Sequence, residues 1–316
     1  MSYWTDWTFE PLVIVPLIVA ALIYARGLRN GLRIVGRSRA AQVPRIAAFY
    51  TGLLVVFIAL ESPIDTLNDV SFAVHMGQHL LLIMIAAPLM ILGDPAPVFV
   101  RGLPLSFRRR ILGGLSRQSW AHRLGGALSW LGSPAPAFVL FIGDLYFWHW
   151  PYMYDLTLQN AVVHDIEHIC FLATGLLFWA QIIEQPGLRS SLSYAQRVVF
   201  IIGASAFHSV LGIYLVYAHR LVYPAYAHVA HRPFGLSAMS DQALAGALMW
   251  IPVMYLLAIA FAVCFYKALG QDQQDSMPLA HPGMTYDLFP PAARDSAQRP
   301  VSLAQLRAGA DRTGGR

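Results

Sequence analysis

Apolar residues run along this chain in seven stretches, each near the roughly 20 residues a helix needs to cross a bilayer. They are Pro11–Arg26, Ile46–Glu61, Phe72–Leu92, Pro134–Trp150, Val162–Ile183, Val198–Tyr217 and Asp241–Tyr266, the first and fourth being short. Polar connections rich in Gly and Pro separate them. After Lys267 the chain becomes rich in Gln, Pro, Asp and Arg and loses all apolar periodicity. The pattern predicts an all-α fold, an integral membrane bundle of seven transmembrane helices over residues 1–270. The remainder, 271–316, reads as a disordered cytoplasmic tail, having too little apolar surface to bury.

Composition agrees with a membrane bundle. Charged residues are 12% of the chain, hydrophobic residues 57%, and mean hydropathy is +0.52, where a soluble domain carries about 25% charged residues. The net charge of +5 is arginine charge, Lys267 being the only lysine. Its placement is informative. One set of connections carries Arg26, Arg29, Arg33, Arg37, Arg39 and Arg45, then Arg101, Arg108, Arg109, Arg110, Arg117 and Arg123, then Arg189 and Arg197. The alternate set carries only Arg220 and Arg232, and the acids Asp6, Glu10, Asp65, Asp69 and Asp155 lie there or at the N-terminus. The positive-inside rule puts the N-terminus outside and the C-terminus in the cytoplasm. The basicity is thus explained by topology and implies membrane lipids, not nucleic acid, as its partner.

The basic segment of about 101–131, with its paired glycines, reads either as amphipathic helix on the inner membrane surface or as a basic loop held by anionic lipid. Trp4, Trp7, Trp148, Trp150, Tyr152, Tyr154, Tyr223 and Tyr226 form an expected outer aromatic belt. The N-terminal MSYWTDWTFEP lacks the basic region of a cleavable signal peptide, so the first span is expected to remain. Cys170 and Cys264 fall at opposite depths, which excludes a disulfide between them.

The candidate chemistry is histidine. His75/His79 in HMGQH and His164/His168 in HDIEH have i, i+4 spacing, so each pair projects from one helical face. Both pairs lie in the first turns of spans that run inward. His208 lies roughly 15 Å below the outer end of the sixth span, at 1.5 Å per residue. Asp241 opens the seventh span, and Met249 shares the face of Gln242 two turns deeper. Polar residues at one membrane depth on several helices make a shared site the favoured reading over packing. Glu167 can serve as a ligand or as partner to an imidazole N–H, and Gln78 can orient His79. Each has its structural alternative: a lone histidine is often simply hydrogen-bonded, and methionine commonly fills gaps. His149, beside Trp150-Pro151, reads as a belt residue more than as an entry ligand. The group His219, His228 and His231 is a low-specificity loop signal. Pro88 reads as a kink and Gly93–Pro95 as a span terminator. Imidazoles with a thioether suit copper; carboxylate and water suit zinc or iron.

Several motifs resemble the multi-span CtaG-type cytochrome c oxidase assembly factors of bacteria. They are HMGQHLLLIMIAAPLMILGDP at 75–95, WHWPYMYDLTLQN at 148–160, HDIEHICFLATGLLFW at 164–179, FHSVLGIYL at 207–215 and SDQALAGALMWIP at 240–252. The resemblance implies a multi-pass protein of the bacterial cell (inner) membrane that helps mature a haem–copper oxidase, by copper delivery at the outer side. Its implied partners are cytochrome c oxidase subunits, with extracytoplasmic copper chaperones as donors. The matching motif positions are His75, His79, His149, His164, His168, His208 and Asp241. Depth and face select His79, His164, His168 and His208 as the core ligands, supported by His75, Glu167, Asp241 and Met249. The expected mechanism is non-enzymatic. The alternative is a zinc-dependent membrane hydrolase, with His164, His168 and His208 on zinc and Asp241 or Glu167 as general base. Histidine-ligated haem is a third reading.

Overall fold

The computed structural model describes residues 5–32, 42–109, 119–186 and 190–276, so the expected tail from 277 onward and the middle of the basic segment, 110–118, lie outside the described residues. The described elements are helical throughout. In order they are α1 (Pro11–Leu32), α2 (Val43–Glu61), α3 (Pro63–Asn68), α4 (Phe72–Leu80), a π-helical turn (Leu81–Ala86), α5 (Ala87–Leu92) and α6 (Pro95–Gly102). There follow α7 (Ser119–Leu131), α8 (Pro134–Trp148), α9 (Pro151–Gln159), α10 (Ala161–Ile182), α11 (Tyr194–Tyr217) and α12 (Ala238–Ser276), with two short 3₁₀ turns, Pro224–His228 and Pro233–Gly235, before the last.

Among the described residues, six helices or helix runs are long and apolar enough to cross a membrane. The fourth expected span differs. Its helix α8 has 15 residues, and α7 and α8 reach a spanning length only as a pair, bent by 67° at Gly132-Ser133. The pair makes up to seven spans. Just before the basic segment, α6 packs on α1. A Cβ on Gly27 would stand 1.9 Å from the Val98 carbonyl oxygen, and one on Gly102 would stand 2.1 Å from that of Ile23. Only glycine allows backbones so close.

The third span, α4 through α5, is the axis of the bundle: 56% of it is buried, against 11% of α1. Its π turn has a local cause. The Ala87 N–H reaches back to the Leu82 carbonyl, so the Ile83 carbonyl would next pair with residue 88, a proline without an N–H. The Trp179 indole of α10 fills the gap, donating to Ile83 O at 2.8 Å. Gly175, one turn earlier on α10, lets that helix come close, since a Cβ there would lie 3.3 Å from the Ile83 Cα. Pro88 therefore helps dock α10 onto the third span as well as interrupting its hydrogen bonding.

Connections gather at two ends. At one, the Tyr226 hydroxyl donates to the Asn68 carbonyl (2.9 Å), the Tyr223 hydroxyl to the His149 carbonyl (2.8 Å), and the Val222 N–H to Gln242 Oε1 (2.7 Å). This is the histidine end. At the other, the arginine end, Gln181 donates to the Gly132 carbonyl (2.9 Å) and Gln185 to the Leu92 carbonyl (3.3 Å).

Candidate metal centre

Helices α4 and α10 face each other at the histidine end and bring both HxxxH pairs together. Ring centroids are 4.4 Å apart for His75–His79 and 4.2 Å for His164–His168. Across the two helices they are 5.1 Å apart for His75–His164 and 5.5 Å for His79–His168. Glu167 points into the same space, its Oε2 3.6 Å from His75 Nε2 and 3.8 Å from His79 Nε2. His75 and Glu167 are wholly buried, and His79 and His168 almost so.

Buried polar atoms in this space lack partners. They are Nε2 of His75, His164 and His168, both ring nitrogens of His79, and both carboxylate oxygens of Glu167. The nearby Thr157 hydroxyl gives its proton to the Tyr154 carbonyl at 2.7 Å. Buried groups are almost always hydrogen-bonded, and leaving one unpaired costs about 1–3 kcal/mol. Convergent, unpaired lone pairs are what a cation requires. Among the described residues, three trios of donor atoms each lie within 4.8 Å of one another: His75/His79/His168, His75/His164/Glu167 and Asp65/His164/His168. Ligands on a four-coordinate ion with bonds of about 2.0–2.1 Å stand roughly 3.4 Å apart, so modest rotamer shifts would close any trio. The residues fit one ion, or two sharing a ligand.

A hydrogen-bond chain sets which nitrogen His75 offers. Tyr226 O–H donates to the Asn68 carbonyl, which can only accept. Tyr154 lies 2.8 Å from the Tyr226 oxygen and 2.8 Å from His75 Nδ1. Every contact is satisfied only if Tyr154 donates to Tyr226 and His75 Nδ1–H donates to Tyr154. The neutral ring then presents its Nε2 lone pair to Glu167 and the other imidazoles, as metal-bound histidines do when their second nitrogen is held by an outer partner.

Asp65 was not among the sequence candidates, where it counted only as a loop acid. It sits in α3, started by Pro63 and capped by Ser62, whose Oγ accepts from the Ile64 N–H. Its Oδ1 accepts from Gln78 Nε2 (2.7 Å) and Asn68 Nδ2 (3.3 Å). Gln78 also donates to the Ala59 carbonyl and accepts from Asn68. Gln78 thus orients Asp65 rather than His79. Burial raises the Asp65 pKa to about 6, partly opposed by the Gln78 hydrogen bond.

Three sequence candidates stand apart from these trios. Both Asp241 oxygens are committed to the start of α4, accepting from Ser71 Oγ (2.7 Å), Phe72 N (2.8 Å) and Ala73 N (3.3 Å). That is a helix N-cap supplied from another helix, with the favourable sign for the helix dipole. Met249 packs in an apolar cluster with Ala73, Met76 and Leu145. His208 lies buried against Phe141, ring centroids 5.5 Å apart, with neither nitrogen partnered. His219, His228 and His231 are exposed. His149 is buried rather than interfacial, at 6% exposure.

Fold and site together define a multi-pass helical membrane protein with a buried histidine–carboxylate cluster between two of its helices. Residues 22–271 match the cytochrome c oxidase caa3 assembly factor (CtaG) family, and the chain belongs to it. It is similar to uncharacterized proteins of Mycobacterium bovis and Mycobacterium tuberculosis, each 29% identical over 258 residues, covering 80% of this chain and 38% of theirs. An uncharacterized protein of Mycobacterium leprae is 26% identical over 267 residues, covering 83% of this chain and 40% of its own. The chain thus spans about two fifths of the length of these relatives. No solved structure matches it.

Proposed function

We propose that this cytochrome c oxidase assembly factor binds copper among His75, His79, His164 and His168, with Glu167 and Asp65, and passes it to an oxidase subunit docked beside it. The supporting observation is the convergence of unpaired imidazole nitrogens in a buried space. Copper here is cargo, and the protein acts without catalysing a reaction. The overlapping trios favour handover, because an ion can leave one set of donors while gaining another. The arginine distribution supports placing the histidine end on the extracytoplasmic side of a bacterial cell membrane, with the N-terminus outside and the C-terminus cytoplasmic. Copper would then arrive from extracytoplasmic chaperones.

One observation favours a second reading. Two carboxylates in the cluster suit a harder ion, and zinc with Glu167 as general base would make the centre a membrane hydrolase. The test is metal content of the full chain, purified without metal-binding tags and loaded under reducing conditions, alongside oxidase copper in a deletion strain. Near-stoichiometric copper, lost in His79→Ala/His168→Ala, with copper-poor oxidase in the deletion strain, is expected. Stoichiometric zinc with amide hydrolysis, or a normally metallated oxidase in the deletion strain, would overturn the copper reading.

A further inference from the structure

His149 and Met76 make an unusual contact beside the four-histidine cluster. His149 ends α8, and its backbone is pinned by the Tyr223 hydroxyl on its carbonyl. Its Nδ1 lies 2.7 Å from the Leu145 carbonyl oxygen. A carbonyl cannot donate, so Nδ1 carries the proton and the neutral ring has a bare lone pair at Nε2. That Nε2 lies 3.1 Å from the Met76 Sδ. A thioether has no proton to give either. Two Lewis bases therefore face each other with no hydrogen between them, in a region almost closed to solvent. The other arrangement, an imidazolium donating to sulfur, would bury a full charge against one weak acceptor.

A soft cation resolves the conflict. Metal–nitrogen and metal–sulfur bonds of about 2.0–2.3 Å place two donors on one tetrahedral ion about 3.5 Å apart, so this contact need open by only a few tenths of an ångström to admit one. His208, 2% exposed and with both nitrogens unpartnered, is near enough to His149 for their charges to interact and is the neighbouring imidazole donor. Thioether and imidazole together select Cu(I) over zinc. We infer that Met76 Sδ, His149 Nε2 and the His208 imidazole form a second, soft metal site for a monovalent ion of the Cu(I) class, chemically distinct from the carboxylate–histidine cluster. It does not depend on which ion that cluster takes. Phe171 stands beside both sites, its ring centroid 6.2 Å from that of His149 and 4.5 Å from that of His79.

The test uses the full chain, labelled with selenomethionine, in lipid nanodiscs. Ag(I), and Cu(I) under reducing conditions, are added to wild type, Met76→Leu, His149→Gln, Met249→Leu and Glu167→Gln/His168→Ala. Selenium-edge absorption spectroscopy reads direct metal–selenium bonding, and a competing chelator reads affinity. A metal–selenium shell is expected in wild type, in Met249→Leu and in the cluster variant. Met76→Leu should lose it, with at least a tenfold fall in Ag(I) affinity and unchanged zinc uptake. His149→Gln should weaken Ag(I) binding similarly while methionine stays in place, which separates ligand loss from misfolding. Absence of the shell in wild type, or its survival in Met76→Leu, would overturn the inference. Loss of the shell in Met249→Leu would move the site and overturn the assignment to Met76. Failure of the copper-cargo reading would appear instead as Cu(I) uptake left unchanged in the cluster variant.

Discussion

Arg197 and the histidine cluster, at opposite ends of the bundle, bury polar groups in opposite ways. At the arginine end Arg197 is buried, but its Nε donates to the Leu192 carbonyl and its Nη1 to the Ile182 carbonyl, each at 3.2 Å. Its guanidinium also lies 4.7 Å from the centre of the Tyr194 ring. Gln181 is engaged through both ends of its amide, donating to Gly132 O and accepting from Ser190. These groups tie helix ends together. At the histidine end three buried imidazoles, the half-buried His164 and a buried carboxylate leave their inward-facing atoms unpaired. A side chain that satisfies backbone carbonyls stabilises the fold; one that leaves a lone pair exposed to its own kind does so at a cost.

The comparison breaks first on metal binding. His168→Ala should lower cluster metal affinity at least 100-fold while leaving the unfolding midpoint of the metal-free protein unchanged or higher, since it removes an unpaired buried group. Metal titration with parallel thermal unfolding in detergent checks both halves. A large stability loss would mean that His168 is structural, like Arg197.

The next effect is on pH. Asp65 has its folded pKa raised by burial to about 6 from 3.8, so between these values the folded state binds more protons than the unfolded state. The contribution of Asp65 to the stability of the metal-free protein should therefore rise as pH falls from 7 towards 4, by about 3 kcal/mol for a shift of this size. Asp65→Asn should remove that contribution. Unfolding midpoints of both proteins at pH 7 and pH 4.5 decide it, and equal pH responses would refute it.

Tyr154→Phe is the subtler test. It cuts the chain that places the His75 proton on Nδ1, and loss of such an outer partner typically costs about 10–100-fold in metal affinity. The fold should persist, and isothermal titration gives the number. An unchanged affinity would show that His75 needs no help to present Nε2. Smallest is Trp179→Phe, remote from the metal. It leaves the Ile83 carbonyl without its donor and should cost about 1–2 kcal/mol with metal affinity unchanged, as read by chemical unfolding.

Much of the fold was legible because helix length and apolarity are local. Six of the seven apolar stretches appear as helices or helix runs of spanning length. The fourth reaches that length only with α7 across a bend, since its helix alone is 15 residues long. The site was legible in part. Spacing placed His75 with His79 and His164 with His168, because i, i+4 geometry follows from the helix itself. Asp241 misled for the same reason in reverse: an acid at the start of a span looks available until Ser71 and the first N–H groups of α4 occupy it, 168–170 residues away in sequence. His149, in a Trp-His-Trp-Pro run, reads as interfacial, and only its tertiary packing against Met76, Phe171 and the Tyr223-bearing connection buries it.

The sequence by itself determined which segments form apolar helices and which histidines share a helical face, because both follow from periodicity within a few turns. Only the tertiary structure decided that the two histidine faces meet. It also decided that Asp65 joins them, that Asn68 and two tyrosines direct the His75 proton, and that His149 confronts Met76. Those outcomes depend on hydrogen bonds and close contacts between residues far apart in the chain, whose partners no local pattern names.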